Sequence, residues 1–176
     1  MGPFIRFKEY KNETVLVVQA HTDDADFYCG ATAARLAEAG ANVVYLVCTR
    51  GEKGTLDPTL TPDELTARRR EEQRRANEIL GVAETIHFDY PDGELRPTYE
   101  LQGKISEIIR SRRPALILTF DPAWPEYRMH PDHRASAIAA LRANVFSPLP
   151  NYFPEQIAAG LPPIRCEEVM VFDPYR

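Results

Sequence analysis

Cysteine is scarce: Cys29, Cys48 and Cys166 are the chain's three, odd in number and widely spaced. Such a set argues against a disulfide framework and against a Cys-x-x-Cys zinc site. No apolar run approaches the length of a membrane span. The N-terminus, MGPFIRFKEYKNE, lacks the continuous apolar stretch of a signal peptide. Positive charge is not in excess either, with 21 Lys and Arg against 26 Asp and Glu and a formal net charge of −5. Nucleic-acid and membrane-surface proteins usually carry a basic excess or patch, so neither partner is expected. These absences fit a cytoplasmic location and leave a homo-oligomer open. No GxGxxG occurs. Gly51-Glu52-Lys53-Gly54-Thr55 lacks the GxxxxGK[ST] order of a phosphate loop.

What is present reads as one ordinary globular domain over residues 1–176, long enough for a sizeable core. Residues 14–20 (TVLVVQA) and 42–49 (NVVYLVCT) are β-branched and apolar, the pattern of strands buried on both faces. Further strands are predicted over 85–89, 115–120 and 168–172. Between them, helices are predicted over 26–39, from 61–63 to Gly81, over 99–112 and over 131–144. Residues 149–163 are Pro-rich and expected to be irregular, either mobile or lying over the site rim. Alternation of strand and helix predicts an α/β fold with a mainly parallel sheet covered on both faces. Ligands of such sheets bind beyond the carboxyl ends of the strands.

Unusual polar residues stand at those ends. The chain has four histidines, and three fall in two short segments. Ala20-His21-Thr22-Asp23-Asp24 follows the first strand, and His130-Pro131-Asp132-His133 follows the fourth. A catalytic zinc site needs three ligands from His and carboxylate and one open position. His21, Asp24 and His133 supply that set. A carboxylate must take the proton of the attacking water, and Asp23 is the candidate. The tetrahedral oxyanion needs a donor beyond the metal, which His130 provides as an imidazolium oriented by Asp132. Either segment alone also reads as a turn or helix cap; the pair at corresponding strand ends favours chemistry.

The two segments resemble the PIG-L/LmbE family of zinc-dependent N-deacetylases, which carries His-Pro-Asp-Asp and His-Pro-Asp-His in this order. Thr49-Arg50-Gly51-Glu52, Arg70-Glu71, Leu80-Gly81 and Pro91-Asp92-Gly93 extend the resemblance from about Val15 to Ala140. It implies a Rossmann-like three-layer sandwich and removal of acetyl from N-acetylglucosamine-type substrates or larger amide conjugates. It implies Zn²⁺, with Fe²⁺ as an occupant in the cell. His21, Asp24 and His133 match the family's metal ligands, Asp23 its general base, His130 its oxyanion-stabilising histidine and Asp132 that histidine's partner. Arg50 and Asp92 match regions near the substrate. Thr22 stands where the family has Pro, and Asp26 where Glu is more usual. Family members generally continue beyond the last apolar segment, so the resemblance implies either a short member or a truncated chain, a difference that bears on the substrate wall more than on the metal site.

Two rivals stand beside the hydrolase. Two His and one carboxylate also form the facial triad of non-haem Fe(II) oxygenases, and a catalytically silent metal- or sugar-binding domain needs only part of the set. Elsewhere, His87 and Cys29 read as packing residues. Trp124 reads as either a sugar-stacking or a buried ring. Arg68, Arg69, Arg70, Arg74 and Arg75, interspersed with Glu71 and Glu72, read as a solvated helix face.

Overall fold

The computed structural model describes residues 5–125 and 129–172. The first four residues of the N-terminal segment scanned for a signal lie outside the described residues. Five strands, β1 (Thr14–Gln19), β2 (Asn42–Thr49), β3 (Glu84–Tyr90), β4 (Leu116–Phe120) and β5 (Glu168–Phe172), form one sheet in the order β3-β2-β1-β4-β5. Every neighbouring pair is parallel. The α/β expectation therefore holds, in fully parallel form. Among the described residues, no helix is long and apolar enough to cross a membrane.

The continuous apolar runs of β1 and β2 exist because both faces of the sheet are covered. Leu16, Val18, Val44 and Leu46 pack on one face with α3 (Tyr99–Arg112) and α4 (Pro131–Phe146). Val15, Val17, Val43 and Tyr45 pack on the other with α1 (Asp24–Glu38). The long helix α2 (Pro62–Leu80) lies beside α1. It begins in a capping box in which Thr61 Oγ1 accepts from Glu64 N–H and the Glu64 carboxylate accepts from Thr61 N–H.

Strand order reverses direction at β1, which pairs with β2 on one side and β4 on the other. The crevice above the carboxyl ends of β1 and β4 is therefore the topological switch point of the sheet. Both histidine segments emerge there.

Residues 149–163 are irregular as expected except for one short helix, α5 (Pro154–Ala158), and they pack against α3. The Arg110 side chain is fully buried and donates to the carbonyls of Ser147, Leu149, Tyr152 and Phe153 and to Gln156 Oε1, at 2.8–3.2 Å. Gly103 on α3 makes room for this: a Cβ there would lie 2.8 Å from the Phe153 ring. A guanidinium spends five donors on one loop, so removing it leaves several buried carbonyls unpaired. Arg110→Met is expected to destabilise the fold by on the order of 3 kcal/mol. For a chain of this size that lowers Tm by roughly 6–12 °C, readable by calorimetry. A Tm within about 2 °C of wild type would show that the loop is held by other contacts.

Candidate active site

The loop after β1 is held by backbone hydrogen bonds to a buried carboxylate. Asp24 Oδ2 accepts from Ala20 N–H at 3.1 Å and from His21 N–H at 2.7 Å. Asp24 Oδ1 lies 3.0 Å from His133 Nε2, and its Oδ2 lies 3.5 Å from His21 Nδ1. The structure thus brings together His21, Asp24 and His133. Burial alone would raise the Asp24 pKa, but His133 and His21 hold its carboxyl well below the usual range. The His133 ring stacks on Phe120 of β4 at 4.1 Å and 8°, which fixes its plane.

Other groups crowd His21 as well. Its Nε2 lies 3.0 Å from Asp92 Oδ1 and 3.3 Å from Asp132 Oδ2. Nitrogen atoms of His21, His130 and His133 lie within 4.8 Å of one another, as do ligand atoms of His21, Asp92 and Asp132. Burial opposes charging His21, but the carboxylates of Asp132, Asp24 and Asp92 outweigh it and push its pKa up to about 11. Asp92, read from sequence as lying near substrate, therefore sits inside the cluster.

Asp132 has a different geometry from the one expected. Its buried carboxylate accepts from Gly93 N–H at 2.6 Å and Leu95 N–H at 3.1 Å. It anchors the turn after β3 and His21 rather than orienting the His130 ring. The bond to His130 comes instead from the backbone: Asp132 N–H donates to His130 Nδ1 at 3.2 Å. That assigns the proton of a neutral His130 ring to Nε2. Burial and the charge on His21 lower the His130 pKa, which works against the imidazolium expected there. A neutral ring still offers its Nε2–H as a donor.

Asp23 occupies the N-cap of α1 with φ +88° and makes no side-chain cap bond. Its half-exposed carboxylate pairs with Arg69 Nη2 at 2.7 Å. Partial burial raises its pKa in spite of Arg69. Arg69 also donates from Nε to Thr22 Oγ1 at 3.0 Å and from Nη2 to Thr22 O at 3.1 Å. Arg69 was read as part of a solvated face, and that reading is corrected for it alone. Arg68, Arg74 and Arg75 pair with Glu72, Glu71 and Glu78 at the surface as expected.

Arg50 is not brought to the histidines: its described partners are Glu52 at 3.8 Å and Asp63 at 3.6 Å. The buried Glu52 accepts from Asp92 N–H at 3.2 Å, so Arg50 connects to the cluster through that carboxylate. Sequence reasoning missed Glu52 and Gln73, whose side chains contact the cluster from distant loops and helices. Trp124 is buried against Tyr28 and Phe120, the second of its two readings. Cys29 is buried behind the loop with its thiol pushed up to about 12 by burial. His87 is a partly buried β3 residue outside the cluster.

The PIG-L family, described as GlcNAc-PI de-N-acetylase, matches residues 16–144, which hold the whole cluster. This chain belongs to the PIG-L family. A diacetylchitobiose deacetylase of Thermococcus kodakarensis is 40% identical over 88% of this chain and 58% of its own length. The N,N'-diacetylchitobiose deacetylase of Pyrococcus horikoshii superposes with a TM-score of 0.89 at 30% identity, covering 97% of this chain and 66% of that one. The 4-carboxy-2-hydroxymuconate hydratase GalB of Pseudomonas putida KT2440 superposes with a TM-score of 0.80 at 25% identity, over 93% of this chain and 67% of that one. This PIG-L chain thus spans about three fifths to two thirds of the length of these relatives.

Proposed function

We propose that this PIG-L chain is a zinc-dependent hydrolase that removes acetyl from the amide nitrogen of an amino sugar or a related conjugate. The observation that carries the reading is the convergence of His21, Asp24 and His133 beside the half-exposed, Arg69-paired carboxylate of Asp23 at the sheet's switch point. Both diacetylchitobiose deacetylases support the substrate class.

The donor set fits a divalent cation. Asp24, Asp92 and Asp132 surround His21 and leave an excess of negative charge. His21, Asp24 and His133 would hold the ion, Zn²⁺ by default and Fe²⁺ as the alternative. Bound there, it supplies a Lewis acid that acidifies water and polarises an amide carbonyl. Asp23, with its raised pKa, takes the proton of the attacking water and returns it to the leaving amine. His130 donates its Nε2–H to the developing oxyanion. Asp132 fixes the turn that carries Asp92, and Glu52 fixes Asp92 from the other side.

His21 must lose its proton to ligate a metal. Cation uptake at neutral pH is therefore expected to release about one proton per ion, so apparent affinity rises from about pH 6 to about pH 8. Calorimetry in buffers of different ionisation enthalpy reads this directly, and uptake without proton release would contradict it. Metal analysis of wild type and His133→Ala tests the ligand set; equal, stoichiometric metal in both would exclude His133 as an essential ligand. A screen of N-acetyl amino sugars and conjugates, with released amine detected, tests the reaction. The GalB likeness favours one second reading, addition of water to a carbon–carbon double bond. Turnover of an unsaturated hydroxy acid without amine release would replace the first reading by that one.

A further inference from the structure

We propose that Gln73 of α2 is a positioning residue for Asp23, an inference that rests on the reading of Asp23 as the base. Asp23 stands at a helix N-cap, where an Asp side chain ordinarily turns inward to cap the first backbone N–H groups. Here that duty is taken by another residue: Gln19 Oε1 accepts from Ala25 N–H. The left-handed backbone of Asp23, φ +88° and ψ −26°, swings its side chain away from the helix end. Non-glycine residues hold such a conformation only where surrounding groups enforce it.

Gln73 is the group that reaches the Asp23 backbone. It is buried, and its Oε1 accepts from Asp23 N–H at 3.1 Å. Its Nε2 donates to Asp26 Oδ2 at 3.2 Å and to Asn77 Oδ1 at 3.1 Å. Asn77 in turn donates to Thr85 Oγ1 of β3 at 2.7 Å. The chain of bonds therefore ties the Asp23 peptide to the sheet through α2, and the amide orientation of Gln73 follows from its neighbours. Arg69, one turn earlier on the same helix face, holds the Asp23 carboxylate. One residue of α2 sets the backbone of the base and another sets its side chain. Reacting groups misplaced by about 1 Å lose on the order of 10² in rate, so the backbone bond acts on kcat.

The test uses N,N'-diacetylchitobiose as probe with metal-loaded wild type, Gln73→Met, Asp23→Asn, the Gln73→Met/Asp23→Asn double and the Gln73→Glu/Asp26→Asn exchange. Gln73→Met is expected to keep its metal and KM and to lose up to about 10²-fold in kcat. In the Asp23→Asn background the same change should cost almost nothing further, because residues acting as one unit are non-additive. The exchange restores the bonds to Asp23 N–H and to residue 26, with a carboxylate at 73 accepting and an amide at 26 donating back, but not the bond to Asn77 Oδ1, and should restore a large part of kcat. Hydrogen exchange of the Asp23 amide should quicken in Gln73→Met and return to the wild-type rate in the exchange variant, whether or not the probe is turned over. An unchanged kcat or amide exchange rate in Gln73→Met, or an equal kcat loss in both backgrounds, would overturn the inference. If Gln73→Met does not fold, a slow, poorly protected exchange variant would overturn it. A nearly fully active Asp23→Asn would instead remove the reading beneath it.

Discussion

Asp23→Asn is expected to keep its fold and its metal and to lose about 10²–10⁴-fold in kcat, the usual worth of a general base. The argument is geometric first. Asp23 is next in sequence to the buried Asp24, the proposed ligand, yet its own carboxylate is half exposed and makes no helix-cap bond. Partial burial raises its pKa, which strengthens it as a proton acceptor, while Arg69 opposes the shift without reversing it. An amide at this position preserves shape and accepts no proton at neutral pH. Metal content and kcat measured side by side decide the matter. A metal-free Asp23→Asn protein, or a metal-loaded and nearly fully active one, would show that the roles of the two aspartates are wrongly divided.

Asp24→Ala should behave differently, losing metal and activity together. Asp24 is buried, touches both candidate histidine ligands, and accepts from the backbone of Ala20 and His21. Its removal leaves those two buried N–H groups unpaired and the histidines without their shared partner. A stability loss of roughly 2–4 kcal/mol should accompany the loss of the ion. Asp24→Asn keeps the shape and an acceptor for the loop, so it separates the two effects: most of the stability returns and the metal does not. Stoichiometric metal in Asp24→Ala would contradict the ligand assignment.

The fold was legible because its signals are local. Apolar runs buried on both faces read as parallel strands, and β2, α3 and β5 fall on the residues expected. That His and Asp side chains gather at one place was legible because the two types are rare together and stood directly after β1 and at the start of α4. Less legible was anything set by a partner distant in sequence. Arg69 looks like its neighbours in an arginine-rich helix, and only the packing of α2 against α1 turns it toward Asp23. Asp132 lies two residues from His130, yet the folded turn after β3 offers it the Gly93 and Leu95 N–H groups. Residues 149–163 carry prolines and little period, and their order comes from the side chain of Arg110 on another helix. Pattern predicts which backbone forms; it does not say which buried donor will find which carbonyl.

Acetate release from N,N'-diacetylchitobiose by zinc-loaded protein, measured without oxygen, tests the central claim most directly. The account predicts acetate and free amine in equal amounts, loss of both on chelation, and their return when zinc is restored. Metal-loaded protein that releases neither from any N-acetyl amino sugar, or turnover that begins only when oxygen is admitted, would contradict it.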